Sequence, residues 1–267
     1  MLDLDREQLR KTYQLCRTGF IFLAIALVPT CIWAVMLMIG LLGDPRLFTW
    51  LVELPWNEWI FTLSVWGSLV GTMLLWGRWE TTSWQRRTGL LLCMCLVDLF
   101  LWFLDRGNGP GLGEGSWFRS NLGQALGWAE FALMASITGD YLVHLGLDQA
   151  EDSARSTRSL AATGAVIWML RFCEQTNWDR GWPLQRRNAG IQGWLLFLGS
   201  ELIWTITLIQ VTALVVAAAR HTIRTLNDME REDQQHELLG FSSEDPNPKK
   251  SAVATQPEHG GDSRFGL

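Results

Sequence analysis

The chain has 267 residues, a hydrophobic fraction of 48% and a net charge of −5, and its mean hydropathy is slightly positive. That length could hold one or two soluble domains, but the apolar residues come in blocks and not as amphipathic stripes, which excludes a soluble globular reading. Three lysines (Lys11, Lys249, Lys250) and scattered arginines form no basic cluster, so a nucleic-acid partner is not expected.

Residues 1–18 alternate charge with Leu2, Leu9, Tyr13 and Cys16, roughly one helical face, and read as a short interfacial helix. The first apolar block, Gly19 to Gly43, has 25 residues without a charge. At ~1.5 Å per residue it would reach roughly 37 Å, beyond the ~30 Å of hydrocarbon in a bilayer. It is too long for the apolar core of a signal peptide and has no small-x-small cleavage site after it, so it is expected to remain as a membrane anchor. Pro29 lies near its middle, as a kink that neighbouring helices must accommodate.

A second span is expected over 58–77. Its small residues Ser64, Gly67, Ser68, Gly71 and Thr72 recur at spacings of four, giving a smooth face for close helix packing, inside the bundle in preference to across a dimer. The third span, 88–104, is bounded by Arg86, Arg87 and by Asp105, Arg106. The glycine-rich stretch that follows, around Pro110, lacks the lysine of a phosphate loop and reads as a hinge or loop. Spans four, five and six are expected over 123–146, 157–173 and 192–220. Residues 222–267 form a polar tail that begins helical and, from about Gly240, has a Ser/Glu/Asp/Pro/Gly composition expected to be disordered.

The expected fold is therefore an all-α membrane bundle of about six helices with short loops. With six spans and the N-terminus in the cytoplasm, twelve arginines and lysines fall on the inner side and seven on the outer. If the short fifth span did not cross, the tally would be thirteen against six, so charge counting fixes the N-terminus and leaves five and six spans open. The 16 tryptophans read as an aromatic belt, with Trp50, Trp56, Trp59, Trp102, Trp117, Trp128, Trp178, Trp182 and Trp194 at the outer boundary and Trp76, Trp79 and Trp84 at the inner. A tryptophan-lined pocket for lipid, quinone or sugar is the rarer use of such residues. Lysine-poor, arginine-rich usage favours a bacterial cytoplasmic membrane.

Charges inside apolar spans are the functional pointers, because each costs about 2.5–3.5 kcal/mol at mid-membrane. They are Asp98 in span three, Glu130 and Asp140 in span four, Arg171 in span five and Glu201 in span six, with His144 near the inner end of span four. Glu130, Arg171 and Glu201 could share the outer leaflet, and a planar guanidinium can satisfy two carboxylates, so Arg171 is expected to pair with Glu130 or Glu201. Such a cluster would be structural glue or, if one carboxylate is left over, a proton- or ion-binding site; otherwise Arg171 would snorkel to the surface. His144 and His221 could ligate haem from facing helices, but no cofactor is expected, since His221 sits among interfacial charges. Cys93 and Cys95 are two apart and so point to different helix faces, which gives no metal site and no disulfide framework.

Enzyme motifs are missing: no Gly-x-Ser-x-Gly, His-Glu-x-x-His, Walker or Cys-x-x-Cys pattern appears. The sequence favours a non-catalytic component that assembles with or anchors other membrane proteins or copies of itself in the lipid bilayer. A small ion- or proton-coupled transporter using the buried carboxylates comes second, weakened by the lack of a visible inverted repeat. A membrane redox or lipid-modifying enzyme comes last.

Overall fold

The computed structural model describes residues 2–43, 46, 50, 51, 54, 56–77, 82–107, 114–176 and 191–243; of residues 2–6, 57, 105–107, 114–120, 174–176, 191–194 and 236–243 it describes the backbone alone. The glycine-rich stretch 108–113, Trp79, Trp178, Trp182 and the tail from 244 lie outside the described residues.

The protein is an all-α membrane helix bundle. Among the described residues, these helices follow in order: α1 (Leu2–Gly43), α2 (Trp56–Leu75), α3 (Thr82–Gly107), α4 (Glu114–His144), α5 (Gln149–Thr176) and α6 (Ile191–Ser243). The described residues divide into two compact units, one up to Leu226 and one from Asn227. In the second unit the helical residues run to Ser243, and the charged side chains of Asp228, Glu230, Arg231 and Glu232 are exposed.

Among the described residues, four helices are long and apolar enough to cross a membrane, within Glu7–Gly43, Glu58–Leu75, Thr82–Leu104 and Leu195–Gln235. Helices α4 and α5, which hold the expected spans 123–146 and 157–173, are not among them. The reason is composition. Helix α4 carries Glu130 and Asp140 among small residues, and the first half of α5 exposes Glu151, Asp152 and Arg155 before the apolar Val166, Met169 and Leu170.

The interfacial segment and the first span form one continuous helix, with Pro29 inside it. Along α1 one stripe, Tyr13, Cys16, Phe20, Leu23 and Leu27, is buried, while Phe22, Ile25, Ile32, Ile39 and Leu42 face outward. An outward-facing row of large aliphatic side chains is what a helix in hydrocarbon presents and what a soluble helix avoids.

The α1–α2 contact rests on missing side chains. A Cβ on Gly71 would come within 2.8 Å of the Gly19 carbonyl oxygen and 2.7 Å of Leu23, and one on Gly67 within 2.8 Å of the Ala26 methyl. Van der Waals packing between closely approaching backbones drives helix association where lipid removes the hydrophobic difference. The neighbouring row is buried differently: Ser68 and Thr72 are buried, and Thr72 meets Cys95 of α3 (Oγ1···Sγ 3.9 Å) while Ser64 is half-buried.

Helices α4 and α5 are joined by a tight turn. Gly146, at φ +84°, closes it: its N–H donates to the Val143 carbonyl (2.9 Å) and the Leu147 N–H to that of Leu142 (3.0 Å). This pair of bonds is a Schellman cap, which favours glycine at the left-handed position. The chain reverses there, and Gly139 packs on Ala154, then Gly164 on the ring of Trp128. Helix α6 is keyed in by Trp204, whose ring lies 4.9 Å from that of Trp128 and 4.6 Å from that of Phe131.

Tryptophan placement divides the expected belt. Trp50, Trp56, Trp59 and Trp76 are exposed, as headgroup residues would be, but Trp84, Trp102 and Trp128 are buried inside the bundle. The Trp84 indole N–H donates to the Leu75 carbonyl at the end of α2 (3.1 Å), and Trp102 packs edge-on against Trp66. These three rings fill gaps between helices, a use that sequence depth alone does not distinguish from an interfacial position.

Candidate functional site

The ionisable residues inside the bundle sort into two clusters of opposite character. The first is centred on Arg171 of α5. Its Nη1 donates to Glu201 Oε1 (3.1 Å) and to Ser200 Oγ (3.1 Å) of α6, and its guanidinium carbon lies 4.6 Å from the centre of the Phe197 ring. The side chains are 11% and 30% exposed for Arg171 and Glu201. Charge, hydrogen bonding and ring stacking all oppose the loss of solvent, so the guanidinium is well compensated.

Glu130 does not join this cluster. The Trp168 indole N–H donates to Gln124 Oε1 (3.0 Å), which sets the register of the antiparallel α4 and α5. From that contact Arg171 lies three residues toward one end and Glu130 six toward the other, a separation of roughly 13 Å along the axes. Helical register thus decides between the two acceptors that the sequence left open.

Glu130 instead lies beside Asp98 of α3, near enough for the two carboxyl groups to act on each other. Glu130 is 9% exposed and its Oε1 has no hydrogen-bond partner among the described residues; Asp98 is half-buried. Cys95, one turn before Asp98, is buried beside both, and Thr72 of α2 abuts it. Ionised carboxylates are acceptors only, so neither can satisfy the other unless a proton is held between them.

The remaining sequence candidates lie nearer the surface. Asp140 forms an ion pair with Arg87 of α3, with side chains 57% and 37% exposed. His144 is exposed at the end of α4, one turn from the Tyr141 hydroxyl that bonds Thr222 of α6 (2.8 Å). His221 lines a groove of about 600 Å³ between the α4–α5 turn and α6, together with Gln149, Asp152, Ser156, Thr157 and Gln210. The histidines therefore occupy different settings, one exposed and one on a groove wall. Among the described residues, no group of three or more His, Cys, Asp or Glu side chains is placed to hold a metal ion.

Sequence reasoning missed three partners: Ser200, Phe197 and Arg87. Ser200 and Phe197 had a usable signal, since they stand one and four residues before Glu201 and share its end of the helix. Arg87 had none, because it looked like an ordinary flanking arginine. No family model, curated protein or solved structure matches this chain.

Proposed function

We propose that this protein is a six-span component of a bacterial cytoplasmic membrane, with its N-terminus in the cytoplasm, that assembles with or anchors other proteins. The observation that carries this reading is the make-up of α6. It joins an apolar stretch, where Leu195, Leu202, Ile206 and Ile209 are exposed, to a charged helical segment from Asn227. The part up to Leu226 alone has 36 residues, more than the ~20 that cross a hydrocarbon core, so the segment from Asn227 is not needed to span it. The excess is polar and in this reading serves contacts in water, with another protein or a second copy as the partner.

Six crossings follow if α4 and α5 sit among the four apolar helices, which would shelter their charges from lipid. The contacts of Glu130 with α3 and of Arg171 with α6 support this arrangement. Reporter fusions after Gln149 and within 180–187 test it: the first should be active only as a cytoplasmic reporter, the second only as an external one. The same side for both would remove the fifth crossing.

The assembly reading is tested by purifying the full chain and a form lacking 227–267 in mild detergent, followed by crosslinking and mass spectrometry. A defined partner, or a dimer, held by the full chain and lost from an otherwise inserted truncation is expected. A full chain that is monomeric and partnerless, or a partner equally retained by the truncation, would overturn it.

A further inference from the structure

The assembly reading gives no use to Asp98 and Glu130, and packing alone would not retain them. Two carboxyl groups from adjacent helices meet inside an apolar bundle, and Glu130 is buried with one oxygen left without a partner. A buried acceptor without a donor forfeits its hydration, and native structures seldom leave one so without cause. The Arg171–Glu201 cluster shows how the same fold treats a purely structural carboxylate: it supplies a guanidinium and a hydroxyl.

We propose that Asp98 and Glu130 form a proton-binding dyad, which holds one proton between its carboxyl groups and exchanges it with water. The titratable groups facing Glu130 are Asp98 and Cys95 of α3; α2 contributes the uncharged Thr72. Among the described residues no arginine, lysine or histidine acts on either carboxyl group. A pair of carboxyl groups without a cation is neutralised most readily by a proton, which needs neither a coordination shell nor extra ligands. Asp98, the more accessible of the two, is the point of exchange, and Glu130 is the inner acceptor. The step is a simple transfer: a hydronium ion gives its proton to the ionised pair and leaves as water, and release is the reverse. This inference stands apart from the assembly reading, and either can fail without the other.

Dicyclohexylcarbodiimide provides the test, because it partitions into apolar regions and adds to protonated carboxyl groups. The full chain in lipid vesicles is treated over a range of pH, digested and mapped by mass spectrometry. The expected result is a single adduct, on Glu130 or Asp98, whose yield falls as pH rises, with Glu201, which is ion-paired to Arg171, unlabelled. Glu130→Gln should abolish labelling on α4. Asp98→Asn should move the midpoint of Glu130 labelling by about one pH unit or more, since interacting groups titrate as a pair.

A second readout does not depend on variants. The infrared spectrum of the wild-type protein should contain a protonated-carboxyl stretching band that shrinks as pH rises with the same midpoint as the labelling. Absence of an adduct on Glu130 and Asp98 at every pH would overturn the proposal, as would a protonated-carboxyl band with no component that follows the labelling midpoint. Protection from labelling by sodium at fixed pH would overturn it too, by making the ligand a metal cation.

Discussion

Glu201 and Glu130 occupy one bundle under opposite conditions. Glu201 shares its position with Arg171, Ser200 and Phe197: Arg171 Nη1 donates to both Glu201 Oε1 and Ser200 Oγ, and its guanidinium lies over the Phe197 ring. Glu130 faces another carboxyl group and, among the described residues, keeps an unpartnered oxygen, although it is the more deeply buried of the two. The difference teaches that burial of a charge says little by itself. The partner decides whether a membrane carboxylate is a fixed brace or a group that must take up a proton.

Removing the cation from the braced site should break the comparison most severely. Arg171→Met leaves Glu201 without its counter-charge and should cost about 3–5 kcal/mol, read as reversible unfolding in detergent or bicelles. The double variant Arg171→Met with Glu201→Leu should recover most of that loss and stand within about 1 kcal/mol of the wild type, since a buried ion pair can be replaced by apolar packing at little cost. If the double variant were as unstable as the single, the pair would hold something beyond its own charges.

At the other site the expected effect is smaller. If Glu130 holds a proton, Glu130→Gln puts a neutral amide of nearly the same shape in its place and should change stability by about 1 kcal/mol or less, because no charge pairing is lost. A loss as large as that of Arg171→Met would mean that Glu130 is an ionised structural anchor, and the contrast would vanish. The smallest effect belongs to the exposed pair of Arg87 and Asp140, where Arg87→Ala should cost about 0–1 kcal/mol and less still at high salt.

Much of the helix arrangement was legible in the chain itself. The uncharged run Gly19 to Gly43 could hardly be anything but a spanning helix, and the row of Gly67 and Gly71 announced a close approach. The partner of that row was not announced, because spacing along one helix carries no information about which neighbour comes near. Trp84, Trp102 and Trp128 were unreadable for a similar reason. An indole near a span end suits both a headgroup and a gap between helices, and only the neighbours in space distinguish the two.

Composition and order along the chain determined that this protein is helical, apolar in blocks and charged at a few costly positions, since local propensity and the thickness of hydrocarbon act on each segment separately. Which charge meets which was left to the tertiary structure. Register along antiparallel helices, set by contacts such as Trp168 with Gln124, gave Arg171 to Glu201 and left Asp98 facing Glu130. Electrostatic and hydrogen-bond energies at such sites depend on distances of a few ångströms, and no one-dimensional pattern fixes distances between separate helices.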